Sequence, residues 1–156
     1  MILCDLDNTL VPHFTKLPTT EAIDFVRDVQ NHGIKIIIVS NNSYKRVSYF
    51  CEFLAPNDFI YHAEKPLIRK IKKILEKYDM NVEDVLFIGD QFITDIFAAN
   101  RLHCKSILTL PIVDSVKQKQ SFILKFLNNF IYRRLEHQNM LSQRSDENLE
   151  DLYEFL

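Results

Sequence analysis

Four polar clusters in this chain each close an apolar run, and together they hold carboxylates, a hydroxyl and an amine. They are Asp5-Leu6-Asp7-Asn8-Thr9, Ser40-Asn41-Asn42, Glu64-Lys65-Pro66, and Gly89-Asp90 with Asp95 five residues further on. Singly, each has an ordinary explanation, because Asp and Asn after a strand commonly form turns or helix caps and a lysine commonly solvates a surface. Independent turn chemistry, however, gives no reason for carboxylates on two such ends, a hydroxyl on another and an amine on a third. Residues two apart in an extended segment face the same way, so Asp5 and Asp7 can address one substrate. Paired carboxylates repel unless a cation lies between them. Asp5 and Asp90, with a backbone carbonyl nearby, offer hard oxygen ligands suited to magnesium, which favours a few carboxylates, waters and phosphate oxygens.

The elements that must position these groups are legible as an alternation. Apolar, β-branched runs at 1–5, 34–40, 58–62, 84–89 and 104–109 predict strands buried on both faces. Between them, helical spacing joins Ala22, Phe25, Val26 and Val29; then Val47, Phe50 and Leu54; then Leu67, Ile71, Ile74 and Leu75; then Ile96, Phe97 and Ala99. Thr19-Thr20 caps the first helix, with Glu21 in its first turn and Gly33 at its left-handed end, and Pro66 suits the first turn of the third. Strands and helices with connections this short imply an α/β fold, a three-layer, doubly wound parallel sheet. Ligands of such sheets bind beyond the carboxyl ends of the strands, where all four clusters fall.

Composition removes several alternatives. With Gly33 and Gly89 as its only glycines, the chain can hold neither a G-x-G-x-x-G turn nor a Walker phosphate loop. Its five histidines form no H-E-x-x-H and its three cysteines no C-x-x-C, so no zinc site is expected. Cys4, Cys51 and Cys104 sit among apolar neighbours and read as buried thiols of a reducing compartment, the cytoplasm. Cys4 adjoins Asp5, yet strand alternation turns it to the other side. There is no signal-peptide pattern and no apolar run long enough to cross a membrane. The net charge of −2 hides five acids against Arg144 alone in 139–156, and the slight positive balance elsewhere is too weak for a nucleic-acid binder.

D-L-D-N-T on the first strand, an apolar strand ending in Ser, a following Lys-Pro and G-D-x-x-x-x-D resemble the four motifs of the haloacid dehalogenase superfamily of phosphatases, over about residues 1–110. The resemblance implies a magnesium-dependent phosphomonoesterase with the Rossmann-like core of that superfamily. Asp5 would be the nucleophile that becomes an aspartyl phosphate, and Asp7 the general acid and base. Mg2+ would lie on the carboxylates of Asp5 and Asp90 and the backbone carbonyl of Asp7. Ser40 would donate to a phosphoryl oxygen, with Asn41 beside it in the phosphate-binding group, and Lys65 would supply positive charge. Thr9 and Asp95 would support these residues from behind, Asp95 by holding Lys65 or a metal-bound water.

Residues 10–33 and 41–64 leave no room for a cap domain, so the site should be open, as in members that act on large substrates or headgroups at a membrane. Within the superfamily the chain resembles the YqeG family, which is similar to phosphatidylglycerophosphate phosphatases. D-L-D-N-T-L-V, I-V-S-N-N and Arg133-Arg134 with Glu136 carry that likeness. A phosphorylated substrate, with a lipid headgroup as one form of it, is the expected partner. The phosphatase domain is expected over 1–138, followed by an acidic tail over 139–156. Within 118–138, Phe122, Ile123, Phe126, Leu127, Phe130, Ile131 and Leu135 form a stripe that packs on the sheet or lies on an anionic membrane. Two rivals are a response-regulator receiver, which the D-x-D-x-T spacing disfavours, and a binding factor that keeps the fold without catalysis.

Overall fold

The computed structural model describes residues 1–112. Five strands, β1 (Ile2–Cys4), β2 (Ile36–Val39), β3 (Asp58–Ile60), β4 (Leu86–Gly89) and β5 (Lys105–Leu108), form one parallel sheet in the order β3-β2-β1-β4-β5. The first strand in sequence is thus the central one in space. Chain direction carries β2 and β3 to one side of it and β4 and β5 to the other, so the switch in strand order falls beside β1, where ligands of such sheets bind. All five strands are found where the apolar runs predict them, shortened at their ends.

Alternation along the strands divides the core in two. Ile2, Cys4, Ile36, Ile38, Leu86 and Ile88 face α1 (Thr20–Asn31) and α2 (Tyr44–Leu54) through Val26, Val29, Val47 and Phe50. Leu3, Ile37, Val39 and Phe87 face α3 (Arg69–Lys77) and α4 (Phe97–Leu102) through Ile71, Leu75, Ala98 and Leu102. Cys4 lies in the first layer, so the thiol next to Asp5 is a buried core group, as alternation requires.

Helix ends explain where the chain turns. Thr19 accepts a hydrogen bond from the Ala22 N–H and caps α1. Gly33, at φ +76°, ends it with the paired bonds Gly33 N–H to Gln30 and Ile34 N–H to Val29. The same pattern closes α3 at Asp79 and α4 at His103, both left-handed without being glycine. That use of Asp and His is invisible to a search for glycine stops.

Three sequence expectations need correction. Pro66 follows a cis peptide and lies before α3, whose cap is Ile68, so it is a loop residue. Leu67 therefore falls outside the helix and is 49% exposed. Phe97 is also exposed, because a π-helical turn at Phe92–Ile96 precedes α4 and shifts the phase of the apolar face. The stripe of 118–138, Arg133, Arg134 and Glu136, the boundary at 138 and the acidic tail lie outside the described residues. Among the described residues, no helix is long and apolar enough to cross a membrane.

Because Ile37 is fully buried in the second layer of the core, Ile37→Ala should cost about 2–5 kcal/mol of stability. A lowered urea midpoint with an unchanged denaturant slope checks this.

Candidate active site

β1 ends at Cys4, and Asp5 continues it on the side of Leu3 and Phe87, held by a hydrogen bond from its N–H to Ile88. Lys65, from the loop after β3, reaches across so that its Nζ lies 5.8 Å from the centre of the Phe87 ring. It ends 2.5 Å from Asp5 Oδ1 and 2.7 Å from Asp95 Oδ1. All three residues are buried, as is Asp90.

The loop positions of these groups have local causes. Asn41 uses its amide on the backbone of Lys65, accepting from its N–H at 2.7 Å and donating to its carbonyl at 3.0 Å. The Asn41 side chain thus fixes the loop that presents the ammonium, a task not read from the sequence. Asp95 Oδ2 accepts the Gln91 N–H at 3.0 Å. A Cβ on Gly89 would stand 2.5 Å from the Asp95 side chain, so glycine is what lets Asp95 approach the strand end. Ser40 is buried at the end of β2; its hydroxyl accepts from the Asn42 N–H at 3.1 Å and keeps its own proton to give.

Asn8, left without a role by sequence reading, is buried at φ +67°. Asn tolerates this left-handed turn better than most residues. Its side-chain oxygen accepts the His13 N–H and its carbonyl accepts the Ile112 N–H, which joins the loop after β1 to the segment after β5. Asp7 lies on the outer side of this turn, its side chain 17% exposed. Arg46, in the first turn of α2, contacts Asp7 Oδ1 through Nε at 2.8 Å and Nη2 at 2.6 Å, while Asn42 Nδ2 lies 3.3 Å from Oδ2. Neither contact was anticipated. Both residues follow the β2 strand end, a position that faces the site, but spacing alone does not separate Arg46 from Lys45.

The electrostatics point to a missing positive charge. Asp5, Asp90 and Asp95 can bring one oxygen each to within 4.8 Å of one another, and Lys65 is the ammonium among them. Burial holds the Asp5 carboxyl well above the usual range, with Asp95 and Asp90 adding to it against the pull of Lys65. Burial, then Asp95, pushes Asp90 up to about 7 against Lys65 and the Thr9 hydrogen bond. Burial also opposes the charge on Lys65, but Asp5 and Asp95 outweigh it and keep the ammonium protonated.

Thr9 Oγ1 lies 3.3 Å from both Asp5 Oδ2 and Asp90 Oδ1, and a hydroxyl has one proton to give. Asp95, by contrast, spends its oxygens on Lys65 and Gln91. A divalent cation therefore fits the Asp5–Asp90 side of the cluster, where two carboxylates bring hard oxygens together.

With this geometry in place, comparison with known proteins is informative. The haloacid dehalogenase-like hydrolase profile matches residues 13–109. The chain belongs to that family. It is 37% identical over 134 residues to the "Probable phosphatase YqeG" of Bacillus subtilis (strain 168), covering 86% of this chain and 74% of that protein. Among solved structures, D,D-heptose 1.7-bisphosphate phosphatase from B. bronchiseptica, complexed with magnesium and phosphate, superposes with a TM-score of 0.58 at 16% identity, over 69% of this chain and 78% of that one. A 3-deoxy-D-manno-octulosonate 8-phosphate phosphatase from Moraxella catarrhalis, also with magnesium and phosphate, gives 0.52 at 16% identity, over 58% of this chain and 57% of that one. These distant likenesses concern the fold. The expectation of a phosphatase of this family holds, as does that of a core without a cap among the described residues. The profile match begins after Asp5 and Asp7.

The raised carboxyls give a pH dependence. Between the ordinary Asp value of 3.8 and about 7, the native metal-free chain keeps a proton on Asp90 that the unfolded chain has released. Stability should therefore fall as pH rises through that window and level off above it. Urea unfolding in EDTA should show this slope, Asp90→Asn should flatten it, and excess Mg2+, which binds the ionised form, should flatten it in the wild type. A stability that rises with pH across the window would contradict the charge surplus.

Proposed function

We propose that the protein is a magnesium-dependent phosphomonoester hydrolase that works through an aspartyl phosphate on Asp5. One observation carries the reading: among the described residues, three buried carboxylates from the β1 and β4 ends and the turn after β4 gather beside the buried Lys65 ammonium, and one of them, Asp5, continues β1. Asp5 attacks phosphorus while Lys65 balances charge on the transferring group and Ser40 donates to one of its oxygens. Asp7 gives a proton to the leaving oxygen, then takes one from the water that releases phosphate. Asp95 holds Lys65 and Thr9 orients Asp5 and Asp90. Mg2+ would be held by the Asp5 and Asp90 carboxylates and the Asp7 carbonyl, and would neutralise phosphoryl charge that would otherwise repel the acids.

For the substrate we favour a lipid phosphate, phosphatidylglycerophosphate. Support comes from the rim of the site. Phe14, Leu17, Tyr61, Leu67, Leu110 and Ile112 are all at least 42% exposed, and all lie on segments that leave the carboxyl ends of strands. An open site with an apolar rim suits a headgroup presented at a lipid surface better than a small metabolite that must be enclosed.

The test is phosphate release from p-nitrophenyl phosphate and from phosphatidylglycerophosphate in detergent micelles, with Mg2+ or EDTA. Turnover should require Mg2+ and fall by at least about a thousandfold in Asp5→Asn, which removes the nucleophile. Preference for the lipid should appear in kcat/KM. Hydrolysis that survives Asp5→Asn would overturn the mechanism, and equal rates on both esters would overturn the lipid assignment.

A further inference from the structure

The proposed reaction leaves Arg46 without a task, although this residue grips the general acid. Its Nε and Nη2 both reach Asp7 Oδ1, its Nη1 donates to the Thr15 carbonyl at 3.2 Å, and Nη2 also lies 3.4 Å from the Pro12 carbonyl. Its guanidinium carbon stands 4.6 Å from the centre of the buried Phe50 ring. A planar fork held on one face by a ring and at its edge by three oxygens has little freedom left. The loop that follows the first motif, the start of α2 and the Asp7 carboxyl are thereby tied through one side chain.

The asymmetry of that grip matters. Two guanidinium N–H groups point at Oδ1, whereas Oδ2 faces the Asn42 amide at 3.3 Å. Oδ2, which accepts the neutral Asn42 amide, is thus the oxygen outside the grip of the guanidinium. We propose that Arg46 is the positioning residue of Asp7, fixing which carboxyl oxygen delivers the proton to the leaving group and where that oxygen stands relative to the Pro12–Thr15 loop. The inference rests on Asp7 acting as the acid.

The bond from phosphorus to the ester oxygen breaks as the bond to Asp5 forms, and the proton on Asp7 Oδ2 passes to the departing oxygen. Asp7, now a carboxylate, takes a proton from the water that attacks the phosphorylated Asp5, which restores both residues and releases phosphate.

A leaving group that departs as a stable anion needs little help from an acid, so the experiment compares p-nitrophenyl phosphate with phenyl phosphate. The quantity is kcat/KM, which reports steps up to departure of the alcohol, measured on the full chain with saturating Mg2+. Asp7→Ala should lose far more on phenyl phosphate than on the activated ester. Arg46→Ala should show the same pattern, with a loss at least roughly tenfold greater on phenyl phosphate. Arg46→Lys should recover part of it, and Arg46→Ala should add nothing selective in the Asp7→Ala background. Equal losses on the two esters in Arg46→Ala, with Asp7→Ala still selective, would overturn the positioning role alone. No selectivity in Asp7→Ala itself would overturn the acid role and the inference with it.

Discussion

A buried ammonium held between two carboxylates, with a third close by, is the constraint around which the described part of this molecule is arranged. Lys65 contacts Asp5 and Asp95 directly, with Asp90 beside them. Two of the acids lean on this one ammonium in a site of low polarity, and removing it would leave buried carboxylates uncompensated at large cost. The neighbouring details follow from that demand. Asn41 spends its whole amide on the Lys65 backbone, Gly89 yields the space that Asp95 fills, and Thr9 divides one hydroxyl between two acids. Strand order does the rest, since placing β1 in the middle brings the β2 and β4 ends to either side of Asp5.

The two acids of the first motif experience different surroundings two residues apart. Asp5 is 6% exposed and deep in the charge cluster, the setting that the proposed attack on phosphorus requires. Asp7 sits beside the Asn8 turn, partly open to solvent and held by Arg46 and Asn42, the setting that the proposed exchange of a proton with water requires. The difference in surroundings accompanies one left-handed residue, Asn8, where the extended segment ends.

The strands and the four polar clusters were legible because both are local signals. Apolar runs mark strands, and the carboxyl-edge rule converts strand ends into a site, so Asp5, Ser40, Lys65, Asp90 and Asp95 could be gathered before any coordinates. What escaped was relational. Arg46 lies thirty-nine residues from Asp7, and only the packing of α2 beside the β1 loop brings the two together. The hold of the Asn41 side chain on Lys65 also escaped, because its direction depends on where the Lys65 loop crosses. Phe97 was misplaced by a π-turn that shifts helical phase without changing composition. Pro66 was misplaced because a proline suits a loop as readily as a helix start.

The helix ends at Asp79 and His103 have a consequence remote from the site. Each holds a side chain in a backbone region that disfavours one by on the order of 1 kcal/mol. The fold has accepted these local strains where many chains would use glycine, and these two stand on the loops that precede β4 and β5, apart from the left-handed Asn8 and Glu64 beside the charge cluster. It therefore carries a reserve for engineering: hardening these two corners would raise tolerance to heat or to further mutation while leaving the charge balance around Lys65 untouched.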